Sequence, residues 1–113
     1  MSLRKLQSEF TQLVPRLIDK AFEMGYEVTL GDAYRDPRVH GDLGARKSYS
    51  HPRSAHKVRL ALDLNLFKDG EYLEGGEAHR PLGEWWEQQH PLARWGGRFS
   101  DGNHYSFEYQ GIK

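Results

Sequence analysis

The octapeptide Leu60-Ala61-Leu62-Asp63-Leu64-Asn65-Leu66-Phe67 constrains this chain more than any other segment. Successive side chains of a β-strand point to opposite faces, so strict alternation puts the four leucines on one face and Ala61, Asp63 and Asn65 on the other. A strand so apolar on one side is central to a sheet and packs on a core. Its other face, small and polar, reads as the floor of a site. An isolated carboxylate there is costly unless it is paired or coordinates a cation.

The flanking segments supply the rest of a fold. Leu3, Leu6, Phe10, Leu13, Val14, Leu17, Ile18 and Ala21 recur at steps of three and four, the pattern of an amphipathic helix over the first two dozen residues. Pro15 inside it predicts a kink or two shorter helices, and Gly25 a C-terminal cap. Tyr26 to Leu30 reads as a strand, residues 36–55 as a long loop, and Asp69-Gly70 as a hairpin turn into a short strand at 71–73. Pro81 to Gln89 reads as a helix carrying Leu82, Trp85 and Trp86. Trp95 to Phe99 is a glycine-rich turn that Trp95 wedges, and His104 to Tyr109 is a closing strand. At 113 residues this is one domain, 1–113, of α+β class: a small antiparallel sheet packed against helices.

Composition narrows the chemistry. Lys plus Arg and Asp plus Glu are equal at 16 each, so no net field draws the chain to nucleic acid or an anionic membrane. No cysteine is present, so disulfides and thiolate metal sites are excluded, and a transition metal would need imidazole and carboxylate ligands. Six histidines make that feasible. His56 lies just before the central strand, and Asp101-Gly102-Asn103-His104 leads into the last one. Together His56, Asp63 and His104 make a three-ligand set with a fourth position open to water, as a catalytic zinc ion requires. Asp101, three residues before His104, is placed to serve as general base and then acid. Arg35 follows the first strand beside Asp32 and Asp36, either as an ion-paired turn or as a cation aimed at a substrate oxygen. His51 is a solvated loop residue or a rim contact for substrate, while His40, His79 and His90 read as surface residues. No signal peptide or membrane-spanning run is evident, so membrane insertion is not expected.

Three motifs carry a resemblance to a known family: Ser54-x-His56-(six residues)-Asp63 with its strand, Pro81-Leu82-Gly83-Glu84-Trp85-Trp86-Glu87, and Trp95-Gly96-Gly97-Arg98-Phe99-Ser100-Asp101-Gly102-Asn103-His104-Tyr105-Ser106. The chain resembles the M15 family of zinc peptidases, the D-alanyl-D-alanine carboxypeptidases and L-alanyl-D-glutamate endopeptidases of bacteria and their phages, most of all the small phage and prophage members. The resemblance covers nearly the whole chain. It implies one zinc ion on His56, Asp63 and His104, Asp101 as catalytic acid/base, and Arg35 as contact for substrate or oxyanion. Ser54 matches a frequent serine, and His51 joins it as a substrate-binding candidate.

The implied function is hydrolysis of peptidoglycan stem peptides in the manner of an endolysin, with terminal D-alanine trimming as the nearest alternative. A non-catalytic, zinc-stabilised wall-binding or virion module is the alternative of another class. The expected enzyme is a monomer without a separate cell-wall-binding domain, made in the cytoplasm of a bacterium or phage-infected cell and acting on the wall after release.

Overall fold

The computed structural model describes residues 2–113. Helix α1 (Leu3–Glu23) buries Leu6, Phe10, Leu17 and Ala21 on the stripe that the spacing picked out. It is one helix rather than two. Pro15 lies on its exposed face, where the carbonyl that a proline cannot reach is open to water. Ser2 caps the start, accepting a hydrogen bond from the Lys5 amide. At the far end the Tyr26 amide donates to the Ala21 carbonyl and the Gly25 amide to Phe22, with Gly25 at φ 93°, a reversal that favours glycine.

The chain then enters β1 (Glu27–Leu30), turns through a one-turn helix α2 (Pro37–His40) and a long loop, and reaches β2 (Ala61–Lys68) by a 3-10 turn at Ala55–Val58. The short helix is a feature that the loop assignment for 36–55 missed. Asp36 caps it through the Arg38 amide, and Pro37 suits its first position. Asp69 and Gly70, both at positive φ, close the hairpin to β3 (Glu71–Tyr72). Helix α3 (Arg80–Glu87) and β4 (Ala93–Trp95) follow, and β5 (His104–Phe107) ends the sheet. Strand β4 was not foreseen, because three residues before two glycines carry too little periodicity to register.

The five strands form an antiparallel sheet in the order β1-β2-β5-β4, with β3 paired to the far end of β2. The last strand in sequence therefore lies inside the sheet, flanked by β2 and β4. This arrangement confirms an α+β domain with helices packed on a small antiparallel sheet. Among the described residues no helix is long and apolar enough to cross a membrane.

The core lies between the sheet and helices α1 and α3. Leu60, Leu64 and Leu66 are fully buried, as are Trp86, Trp95, Tyr105 and Phe107. Each such side chain contributes on the order of 1.5–3 kcal/mol by leaving water. Trp86 stacks on Phe107 and meets Phe10 edge-on, while its indole N–H donates to the Arg94 and Ser106 carbonyls. Trp85 is only half-buried. Trp95 fills the space over Gly83 and Gly97, where a methyl group at either glycine would overlap its ring.

His79 departs from the sequence reading. It is buried, not a surface residue, and its Nδ1 pairs with the Tyr105 hydroxyl at 2.7 Å. Burial, only partly opposed by the negative charge of Asp63, pulls its imidazole from 6.5 down to about 4. The unfolded chain takes up a proton below pH 6.5 that the folded chain refuses until about pH 4. The stabilisation is thus complete above 6.5 and is lost as pH falls through that window. Urea unfolding at pH 7 and pH 4.5 should show the native protein losing about 2 kcal/mol more than His79→Gln over this interval. Equal losses would contradict the assignment.

Candidate metal centre and cleft

Register places the site. Asp63 on β2 faces His104 on β5 directly across an antiparallel pair, and Ala61 faces Ser106. Asp63 is locked in place from both sides of its strand. Its amide donates to the Asp32 carbonyl, its carbonyl accepts from Gly31, and Leu64 donates to the Asn103 carbonyl. His56 arrives from the 3-10 turn, where Ser54 Oγ accepts from the His56 amide and Arg59 adopts a left-handed conformation.

His104 is presented by the second turn. The Asp101 amide donates to the Gly96 carbonyl, the His104 amide to the Asp101 carbonyl, and the Trp95 indole to the Gly102 carbonyl at 2.7 Å. A Cβ on Gly96 would strike the Asp101 carbonyl oxygen, and one on Gly102 would strike the Gly76 backbone, so both positions need glycine. The wedge role expected of Trp95 is what its indole bond performs.

Three donor atoms converge. His56 Nε2 lies 3.1 Å from Asp63 Oδ1 and 3.2 Å from His104 Nδ1, and the third side of the triangle is 3.5 Å. Nδ1 of His56 donates to the Ala33 carbonyl at 2.6 Å, which leaves the lone pair of neutral His56 on Nε2, pointing at the carboxylate. A cation seated between that lone pair and the carboxylate would satisfy both. Ligands of a tetrahedral ion with bonds near 2.0–2.1 Å stand about 3.4 Å apart, close to all three distances. The Ala33 carbonyl is the type of outer partner that orients a ligating histidine. His56, Asp63 and His104 are all buried and form a group that can hold a metal ion. Burial alone would raise the Asp63 carboxyl, but the imidazoles of His104 and His56 beside it outweigh burial and hold it at about 2.

Around this group opens a cleft of about 550 Å³ lined by Arg35, His51, Ser54 and Asp101, among others. Asp101 stands beside the triad with Oδ2 3.6 Å from His104 Nδ1 and half its side chain exposed. Of the two readings of Arg35, the structure shows the ion pair. Its Nε pairs with Asp32 at 3.1 Å, its Nη2 lies 3.8 Å from Asp63 Oδ2, and the guanidinium borders the cleft. Asp36, the other neighbouring acid, pairs with Arg38 instead. Ser54 is buried and binds Arg35 Nη1 through its hydroxyl, so it braces both Arg35 and His56. His51 is exposed at the rim, with Nδ1 accepting from the Arg53 amide at 3.1 Å. His40 pairs with Ser48, and His90 stacks on Phe107.

Several contributors left no signal in the sequence. Tyr49 donates to Asp32 and lays its ring against the Arg35 guanidinium, and Ser50 accepts from Arg35 Nη1. The bond from Tyr49, partly offset by burial and aided by Arg35, lowers the Asp32 carboxyl. Phe99 meets the His104 ring edge-on. Lys57 is buried, and its ammonium donates to the carbonyls of Ala45 at 2.6 Å and Asp42 at 3.2 Å, pinning the loop that carries Tyr49 to Ser54. Of this network only the pairing of Arg35 with a neighbouring acid was legible, as the ion-paired turn that Asp32 completes.

No protein-family model matches the chain, and no curated protein matches it. The family resemblance of its motifs therefore bears on function as a proposal.

Lys57 gives the loop a specific anchor. Replacing it with Met removes a costly buried ammonium together with two hydrogen bonds, so global stability should shift by no more than about 1 kcal/mol. The amides of Gly44, Ala45 and Lys47, which bond within this loop and its neighbours, should exchange with solvent at least about tenfold faster. Unchanged exchange would show that the loop does not depend on Lys57.

Proposed function

We propose that this chain is a zinc-dependent peptidase that hydrolyses peptide bonds in the stem peptides of bacterial peptidoglycan, in the manner of a phage-type L-alanyl-D-glutamate endopeptidase. The observation that carries this reading is the conjunction of a buried His56–Asp63–His104 donor triangle with a free, half-exposed Asp101 at the edge of a cleft. A purely structural zinc site closes its coordination with a fourth protein ligand. Here the carboxylate nearest the triangle outside it stands in the cleft. Peptide and wall specificity come from the motif resemblance, not from geometry.

His56, Asp63 and His104 would hold the zinc ion. When bound, zinc supplies a Lewis acid that acidifies a water molecule and polarises a carbonyl. The remaining work belongs to side chains of the cleft. Asp101 takes a proton from the attacking water and later returns one to the leaving amine, and its exposure keeps it free to do so. Arg35, held rigid by Asp32, Ser50, Ser54 and the Tyr49 ring, faces the cleft with a guanidinium that stabilises the developing oxyanion. No covalent intermediate is needed, because the nucleophile is water; no cysteine is present and no Ser/His/Asp arrangement stands out. The arginine costs no reorganisation at the moment of reaction, since its bonds are already made.

Purified peptidoglycan incubated with zinc-loaded protein should release peptide fragments identifiable by mass spectrometry, and a chelator should stop the release. Asp101→Ala should retain zinc yet cleave at least about 100-fold more slowly. Undiminished cleavage by zinc-loaded Asp101→Ala would overturn the catalytic assignment. Retention on the wall without fragments under any metal condition would favour the wall-binding module.

A further inference from the structure

The side chains of the whole molecule balance in charge, but those lining the cleft do not. Three cationic side chains, Arg35, Arg53 and Lys113, line it against one acidic side chain outside the donor triangle, Asp101. Arg35 is committed to Asp32 and Asp63. Arg53 and Lys113 are not. Among the described residues neither side chain has a hydrogen-bonding or ion-pairing partner, although both are carried on anchored backbone.

The anchoring is specific. Arg53 donates its amide to His51 Nδ1, and its neighbours on either side are fixed, Pro52 by the Gly44 amide and Ser54 by its cap on His56. Because His51 Nδ1 accepts that bond, the proton of its neutral ring sits on Nε2, which makes a third donor lining the cleft. Lys113 follows Ile112, which is buried and exchanges two 2.8 Å backbone bonds with Tyr109. Its ammonium stands 6.0 Å from the centre of the Phe99 ring, and that ring packs edge-on against His104. The two unpaired cations thus come from separate segments, each tied to a different corner of the donor triangle.

We infer that Arg53 and Lys113 form an anion subsite that receives a free carboxylate of the peptide substrate and sets which bond is presented to Asp101. This rests on the peptidase reading and sharpens it. A guanidinium and an ammonium without internal partners are matched by carboxylate. In a stem peptide two sources qualify, the α-carboxylate of a γ-linked D-glutamate and the carboxylate at the peptide's end. Phe99, exposed beside them, offers an apolar surface suited to a methyl side chain such as that of alanine.

Binding separates this inference from turnover. In a zinc-loaded Asp101→Asn background, calorimetric titration would compare three synthetic forms of L-Ala-γ-D-Glu-L-Lys-D-Ala: unmodified, with the glutamate α-carboxylate as carboxamide, and with the terminal carboxylate as carboxamide. One amidation should weaken binding about tenfold. The double substitution Arg53→Gln, Lys113→Gln, at exposed positions that leave the core intact, should weaken the unmodified peptide by the same factor and abolish the discrimination. Sensitivity at glutamate supports the subsite with internal cleavage, and sensitivity at the terminus supports it with terminal trimming. Equal binding of all three forms, or discrimination that survives the double substitution, would overturn the subsite. Failure of every form to bind would overturn the peptidase reading with it.

Discussion

A carboxylate buried at the centre of a sheet is the constraint around which this molecule is organised. Asp63 lies on β2, between β1 and β5, with both its backbone groups used in the ladder and its side chain facing two imidazoles. Such a group is tolerated only with cationic or hydrogen-bonding company. The register that sets His104 opposite Asp63 and the turn that delivers His56 provide that company. A slip of one residue in the β2–β5 pairing would turn Asp63 toward the core and leave the histidines without a partner. The leucines of β2 make such a slip prohibitive, because the same shift would expose them. Core and site therefore fix one another through a single strand.

The rigid parts of the cleft follow from that arrangement. Gly96 and Gly102 permit backbone contacts that hold Asp101 and His104 in one tight turn, and Trp95 braces it through Gly102. Arg35 is clamped from four directions. Lys57 fastens the long loop from beneath with two backbone bonds. A site of this kind is preorganised, since its donors are placed by packing and not by the ligand.

How far the sequence alone reached depended on the length of each pattern. The alternation of Leu60 to Phe67 and the helical spacing of Leu3 to Ala21 span many residues, and the buried face of each was legible. Asp63 stood out because a carboxylate in such a strand needs an explanation, and His56, Asp101 and His104 because of their spacing around it. Strand β4 was too short to see, and Pro15 suggested a break that an exposed position does not require. His79 was misread because nothing local distinguishes a histidine buried against Tyr105 from one in water. Tyr49, Ser50 and Lys57 act across long sequence separations, so only folded coordinates could join them to Arg35 and to the loop.

The central claim is that His56, Asp63 and His104 together bind one metal ion. Elemental analysis combined with X-ray absorption on protein loaded with zinc and then desalted tests it most directly. The account predicts one zinc per chain with two imidazole nitrogens in its inner shell and oxygen completing it, and loss of that ion in His56→Ala. Protein that retains no zinc, or a zinc environment that persists unaltered in His56→Ala, would contradict it.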